Sequence, residues 1–248
     1  MRWRSNPPDS IQHDGETISY SLVHRPRVTR RVHLELGADG GLVVVVPRAM
    51  SRRAVQKALQ ARSGRVMQFL AKARARRQDL PTLEYRDGET HLFLGEAFRL
   101  TVVTARNTRR TLRLDDGMFQ AVVADSSPTA MRTCFRGWYR ARAEQEFSRR
   151  LAVISRMAPW TQGVVPDMRL RRMKRTWGNC STAGLITLNP HLVKAPPDLV
   201  DYVIAHEVCH LREHNHGKAF YALQEQLFPG WRASRALLRE RGHLYLHE

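Results

Sequence analysis

The chain has 248 residues, of which 42% are hydrophobic, 8% aromatic and 26% charged. This composition excludes a wholly disordered or collagen-like protein and supplies a core for one large domain or two smaller ones. The charge is unusual, because 41 Lys and Arg residues stand against 23 Asp and Glu residues and leave a formal net charge of +18. An arginine-rich surface favours association with polyanions such as nucleic acid, without indicating any specificity.

The longest uninterrupted apolar stretch, residues 42–46, is far shorter than the roughly 20 residues that cross a bilayer, so no membrane span is predicted. The basic N-terminus lacks a following apolar segment, which argues against a secretory signal. Three scattered cysteines, Cys134, Cys180 and Cys209, do not indicate a disulfide framework. We therefore expect a cytoplasmic protein, and the sequence leaves its oligomeric state open.

The first half of the chain predicts short strands and one helix. The predicted strands cover residues 18–23, 31–36, 42–46, 91–94, 97–104, 111–114 and 118–123. Gly95-Glu96 and Asp115-Asp116-Gly117 are typical hairpin turns between such strands. Ser51 is a candidate N-cap for a helix that extends toward residue 78, with a bend at Gly64.

The composition changes around residues 125–128, which predicts a strand-rich region 1–125 and a second domain 126–248. A helix is expected over residues 129–157, where apolar residues recur at helical spacing between arginines. Residues 132–175 carry a net charge of +9, which fits a solvated helix face or a polyanion-binding surface. The predicted fold class is α+β, with strands first and a mostly helical C-terminal domain.

A further helix is predicted to begin after Pro196-Pro197. Asp198 is its expected N-cap, and Asp201 follows three residues later like the acidic half of a capping box. This helix would carry the segment His206-Glu207-Val-Cys-His210.

The spacing of these residues matches the H-E-x-x-H pattern of zinc enzymes. His206 and His210 lie four residues apart, so one helix face presents two imidazoles to a single tetrahedral Zn²⁺ ion. Glu207 lies beside them, where it can take a proton from a water on the metal. His216 is the favoured third ligand, ten residues after His206. His214 and Glu213 are the competing candidates, and Cys180 is a remote one.

Several segments together resemble the YgjP-like family of zinc metallopeptidases, which is related to the SprT-like and WLM proteases. They are residues 174–181 (KRTWGNCS), 188–192 (LNPHL), 202–211 (YVIAHEVCHL), 215–216 (NH) and Phe220. The resemblance extends over essentially the whole chain and implies a zincin-like C-terminal domain. By this resemblance, His206, His210 and His216 are the zinc ligands and Glu207 is the catalytic carboxylate.

A hairpin is expected just before the metal helix, with strands over residues 177–181 and 185–188. Its edge could bind an extended peptide by strand addition, so the candidate substrate-binding residues are Trp177, Gly178, Asn179 and Cys180. In an alternative interpretation, the tryptophan and the cysteine only pack in the core.

The leading functional hypothesis is therefore a zinc-dependent peptidase that acts on protein or peptide substrates. The basic surface and the analogy with the related proteases suggest proteins associated with nucleic acid. One alternative is a metal-dependent hydrolase of a nucleotide or another phosphoanhydride, with arginines on the phosphates. Another is a non-enzymatic nucleic-acid-binding protein with a structural metal, although such sites usually have four protein ligands and need no Glu207.

Overall fold

The computed structural model describes residues 9–25, 32–37, 41–78, 83–173 and 176–248. The chain forms two compact units, Met1–Pro81 and Thr82–Glu248, called here the N-terminal and C-terminal units. The strands are β1 (Asp9–His13), β2 (Glu16–His24), β3 (His33–Leu36), β4 (Leu42–Val46), β5 (Thr90–Phe93), β6 (Glu96–Thr104), β7 (Thr111–Asp115), β8 (Met118–Val123), β9 (Met168–Leu170), β10 (Gly178–Cys180) and β11 (Ile186–Leu188). The helices are α1 (Arg52–Gln60), α2 (Ser63–Gln78), α3 (Pro128–Met157), α4 (Pro197–Cys209), α5 (Lys218–Leu227) and α6 (Trp231–Leu246), with 3₁₀ turns at Pro159–Thr161 and Pro190–Lys194. Both strands and helices are thus present, which confirms the predicted α+β class.

The N-terminal unit is a four-stranded sheet in the order β1-β2-β4-β3, whose apolar face packs on α1 and α2. The central strands β2 and β4 run parallel, and both outer pairs are antiparallel. Ser51 caps α1 as predicted, but the helix is interrupted at residues 61–62, so Gly64 lies inside the first turn of α2. Residue 31 of the predicted strand 31–36, and residues 38–40 between that strand and the next one, lie outside the described residues.

The first sheet of the C-terminal unit repeats this topology. Its order is β5-β6-β8-β7, again with a parallel central pair and antiparallel outer pairs. In both sheets the first hairpin turns through two residues with positive φ, Asp14-Gly15 and Leu94-Gly95. The two units therefore share a strand arrangement that no sequence repeat indicates.

The division of the chain falls at residues 81/82 rather than at the expected 125/126, which lies between β8 and α3 inside the C-terminal unit. Backbone amides of Leu94 and Gly95 donate to the carbonyls of Val193 (2.9 Å) and Lys194 (3.1 Å). The hydroxyl of Tyr139 donates to the carbonyl of Leu92 at 2.7 Å. These bonds join the second sheet to the helices, so the change in composition marks a change of secondary structure within one core.

Helix α4 does not begin as predicted. Its N-cap is Pro196, and Asp198 lies in the first turn without capping it. Asp201 accepts hydrogen bonds on both carboxylate oxygens, each 2.8 Å from Nη1 of Arg150 on α3. A tertiary ion pair has therefore replaced the expected capping box.

Over the residues that the structure describes, none of the helices combines the length and the apolarity that a membrane crossing needs.

The turn at Gly95 provides a test of this packing. Gly95 has φ +86°, and an added Cβ would lie 2.9 Å from Cα of Pro196, whereas one added at Gly117 (φ +71°) would meet no atom within 4 Å. Gly117→Ala should lower the free energy of unfolding by about 1 kcal/mol, because of the backbone conformation alone. Gly95→Ala should lower it by about 1–3 kcal/mol more, because the methyl group overpacks the start of α4. Urea unfolding would measure both, and equal losses would contradict the described contact.

Candidate metal and active site

Helix α4 supplies the first half of the site. Its last two turns carry His206 and Glu207, and His210 is its C-cap residue. Nearly every other side chain of the helix is buried; these residues are Leu199, Val200, Tyr202, Val203, Ile204, Ala205, Val208 and Cys209. The chain then turns through residues 211–217, and α5 begins at Lys218. This turn returns His216 to the end of α4.

Three imidazoles converge at this point. One ring nitrogen each of His206, His210 and His216 lies within 4.8 Å of the other two. The Nε2 atoms of His206 and His216 are 3.0 Å apart, and the ring centroid of His210 lies 4.9 Å and 4.6 Å from those of His206 and His216. His214 is exposed, and Glu213 faces the site through its backbone carbonyl. The structure thus brings together the favoured candidates and leaves both competitors outside the cluster.

The orientation of two rings is fixed by hydrogen bonds at Nδ1. Nδ1 of His206 lies 3.1 Å from Oε1 of Gln224, and Nδ1 of His210 lies 2.9 Å from the carbonyl oxygen of Glu213. An amide or carbonyl oxygen can only accept, so both Nδ1 atoms carry the proton. Both Nε2 atoms are left with a free lone pair, as a metal ligand requires.

Two residues on α5 support the triad, and sequence reasoning missed one of them, Gln224. Phe220, which the family resemblance included, and Gln224 lie four residues apart, and both are fully buried. The ring of Phe220 packs against all three imidazoles, at centroid distances of 4.9, 4.6 and 4.6 Å. Their i, i+4 spacing on an amphipathic helix was the available signal, but it is equally typical of ordinary core residues.

Burial keeps the imidazoles neutral. Desolvation, and after it the neighbouring rings, lower the pKa of His206 to about 4. Desolvation also lowers the pKa of His210 and of His216. Near neutral pH the three rings are therefore neutral imidazoles, the form that binds metal.

Glu207 is 4% exposed, and burial raises the pKa of its carboxyl to about 8, against a weaker opposing hydrogen bond from the backbone of Cys180. The carboxylate lies against β10, since a Cβ added at Gly178 would be 2.6 Å from Oε1 of Glu207. Among the described residues, its buried Oε2 has no hydrogen-bond partner. A buried oxygen of this kind is suited to accept a hydrogen bond from a ligand or from water.

The predicted substrate-binding residues lie on one edge of the second sheet of the C-terminal unit, whose order is β10-β11-β9. Trp177 and Gly178 line a cleft of about 710 Å³ beside His206, Glu207 and His216. Asn179 is exposed and Cys180 is half-buried.

The other residues that the sequence analysis singled out do not belong to the histidine cluster or lie outside the described residues. Within the described chain, the cluster of potential metal ligands contains the three histidines and neither Cys180 nor Glu213. Cys209 is fully buried in α4. Residues 174 and 175 of the family-like segment lie outside the described residues.

The donor set fits a metal ion. Three neutral imidazoles with two oriented Nδ1–H groups match the three-ligand sites that catalytic zinc enzymes use, with a position left open for substrate or water. The buried Oε2 of Glu207, which has no partner among the described residues, independently indicates a place for a ligand or water beside the histidines.

Comparison with known proteins identifies the family. The family model of the YgjP-like metallopeptidase domain matches residues 30–241. The chain therefore belongs to the YgjP-like metallopeptidase family, which implies a metal ion and peptide or protein substrates. A chain from the crystal structure of the metallopeptidase zymogen abylysin of Pyrococcus abyssi is similar over 40% of this chain and 94% of its own length, at 25% identity and a TM-score of 0.35. No curated protein matches the sequence.

Gln224 tests the geometry of the triad. Gln224→Met removes the acceptor for Nδ1 of His206 while it nearly conserves volume, so metal affinity should fall about 10–100-fold. Gln226→Met, at an exposed position on the same helix, is the matched control and should leave affinity unchanged. Competition with a chromogenic chelator measures both constants. An unaltered affinity in a folded Gln224→Met protein would show that this hydrogen bond does not orient the ring.

Proposed function

We propose that the protein is a zinc-dependent peptidase in which His206, His210 and His216 hold the metal and Glu207 transfers protons. One observation carries the proposal: three neutral imidazoles converge beside a buried carboxylate at the wall of an open cleft. Neutral imidazole donors favour zinc over the hard cations Mg²⁺ and Ca²⁺.

When bound, the metal supplies a Lewis acid that polarises the scissile carbonyl and makes water more acidic. Glu207 holds the attacking water at Oε2, accepts its proton, and then delivers that proton to the nitrogen of the leaving amine. Burial raises the pKa of this carboxyl, which suits its acid form to the later delivery of the proton, and the positive charge of a bound metal would favour the carboxylate form that first takes the proton up. Because Gly178 has no side chain, the backbone of β10 can lie directly against the carboxylate of Glu207.

The edge of β10 is the proposed platform for substrate. Among the strands of the described residues, β10 pairs with β11 alone, and its first residue, Gly178, lies against the carboxylate of Glu207. An extended peptide that pairs with this edge would pass beside Glu207 and the triad. Backbone pairing of this kind tolerates many sequences, which suits a protease of unfolded or flexible segments.

The number of ligands argues against a structural metal. Such a site usually has four protein ligands, whereas the cluster found in the described residues has three. Hydrolysis of a phosphoanhydride stays an alternative prediction, and it would appear as phosphate or pyrophosphate release without peptide cleavage.

We further propose that the substrates include proteins associated with nucleic acid. The support is the net charge of +18 and the exposed arginines that α3 and α6 display to solvent. These arginines include Arg156 on α3 and Arg241 on α6.

The role of Glu207 is tested by Glu207→Gln. The amide has nearly the same shape but cannot take up the proton, so metal content should be unchanged while cleavage of an unfolded protein falls about 10²–10⁴-fold. Glu213→Gln is the matched control, because that residue faces the site only through its backbone carbonyl. Wild-type turnover in Glu207→Gln would overturn the mechanism, and loss of metal would assign this residue a different role.

The proposed association with nucleic acid is tested by the same cleavage assay with single- and double-stranded DNA. Binding that neutralises several phosphates should weaken steeply as salt rises, with a log–log slope of about −0.9 per phosphate contact on duplex DNA. DNA should stimulate cleavage at low salt and lose this effect at high salt. Cleavage that is indifferent to DNA at low salt would remove this part of the proposal.

A further inference from the structure

The cleft extends beyond the triad and has two kinds of wall. One wall is aromatic, formed by Tyr202, Tyr221 and Trp231, and the rings of Tyr221 and Trp231 stack at 5.0 Å with an interplanar angle of 12°. The other wall is cationic, because Arg235 and Arg239 project into the cleft from successive turns of α6. A pocket with this lining offers apolar contact for an aliphatic stem and guanidinium groups for an anionic end.

The charge of Arg235 is not compensated by another carboxylate among the described residues that line the cleft. Glu207 is the one carboxylate among the described residues that line it, and this residue belongs to the reacting centre. Within the described part of the chain, no carboxylate forms a salt bridge with Arg235, whose guanidinium carbon lies 5.9 Å from the ring centroid of Trp231.

Arg232 provides an internal comparison. It also lies over the Trp231 ring, with its guanidinium carbon 4.6 Å from the centroid, but its Nη1 donates to the carboxylate of Glu225. It does not line the cleft. Arg232 and Arg235 thus lie on one turn of α6 and both lie over Trp231. Arg232 has Glu225 as its counterion, whereas Arg235 faces the space where substrate binds.

We propose that Arg235 forms a subsite for an acidic side chain of the peptide substrate, so that bonds close to Asp or Glu are cleaved preferentially. This inference rests on the proposed peptidase function. A substrate carboxylate can accept two hydrogen bonds from one guanidinium, whereas the aromatic wall displaces water from the stem of that side chain. A substrate lysine at the same place is repelled by the like charge of Arg235. The subsite therefore adds selectivity to backbone pairing with β10, which is itself insensitive to sequence.

The test uses peptides that differ at one position. Each of the three residues on either side of a cleaved bond is made in turn Glu, Gln or Lys, and kcat/KM is measured with metal-loaded protein. At one position the Glu peptide should exceed the Gln peptide about three- to tenfold, the range for a partly solvated charged pair, and the Lys peptide should be the poorest.

Variants then assign the preference to this guanidinium. Arg235→Gln should bring the ratio of kcat/KM for the Glu and Gln peptides to about one, and Arg235→Glu should reverse the preference toward Lys. Arg232→Gln, the matched control, should retain the wild-type preference. Equal cleavage of Glu and Gln peptides at every position would overturn the inference. So would an equal loss for both peptides in Arg235→Gln, since that pattern belongs to a residue acting on the scissile carbonyl.

A binding measurement separates failure of the subsite from failure of the proposed function. If wild-type protein cleaves none of the peptides, the peptidase proposal fails, but Glu207→Gln protein still reports their affinities by calorimetry. A preference for the Glu peptide that is lost in the Glu207→Gln, Arg235→Gln double variant supports the subsite. If the Glu and Gln peptides bind equally well, the subsite proposal is overturned. It is also overturned if only a single-stranded oligonucleotide binds in an Arg235-dependent way, because this wall would then contact phosphate instead.

Discussion

The site depends on the immobilisation of helix α4. The helix is held at its start by the contact of Pro196 with Gly95, along its side by the ion pair between Arg150 and Asp201, and near its end by Trp160, whose Nε1 donates to the carbonyl of Val208 at 3.0 Å. Its apolar side chains are buried on almost every face. Ligand nitrogens must lie within tenths of an ångström of their positions to hold a metal ion, and the packing of α4 restrains two of them, on His206 and His210, whereas His216 comes from the turn before α5.

Burial has opposite effects on the pKa values of the two kinds of ionisable group at the end of this helix. It disfavours the charged form of each group. The pKa of His206 falls to about 4, which leaves a neutral ligand, while the pKa of Glu207 rises to about 8, so that the carboxyl holds a proton readily and a bound cation would favour its carboxylate form. Hydrogen bonds then direct the neutral rings, through Gln224 and the carbonyl of Glu213. One physical condition thus prepares the ligands and the proton carrier together.

Much of the site could be predicted because its signals are local. The four-residue spacing of His206 and His210 follows from helical geometry, and α3 was predicted to within one residue at its start from its apolar spacing. The features that could not be predicted depend on contacts between distant segments. Gln224 becomes important only because α5 packs against α4. Asp201 left its expected capping role because Arg150, 51 residues earlier, offers a stronger partner.

The boundary between the two units illustrates the same limit. Composition changes where β8 gives way to α3, but the core of the C-terminal unit continues across this point, from Phe119 in the sheet to Phe135 on the helix at a centroid distance of 5.2 Å. The repeated four-strand topology is likewise invisible in the sequence, because strand order is set by pairing between segments. Local patterns therefore predict elements better than they predict the way those elements associate.

The most direct test of the central claim is X-ray absorption spectroscopy at the zinc edge of the reconstituted protein. We expect a first shell of nitrogen and oxygen atoms at about 2.0–2.1 Å, with the multiple scattering of three imidazoles and no sulfur at about 2.3 Å. In His216→Ala the imidazole contribution should fall to two rings, while Glu207→Gln should leave three. A sulfur shell, or a spectrum unchanged in His216→Ala, would contradict a three-histidine metal centre at the end of α4.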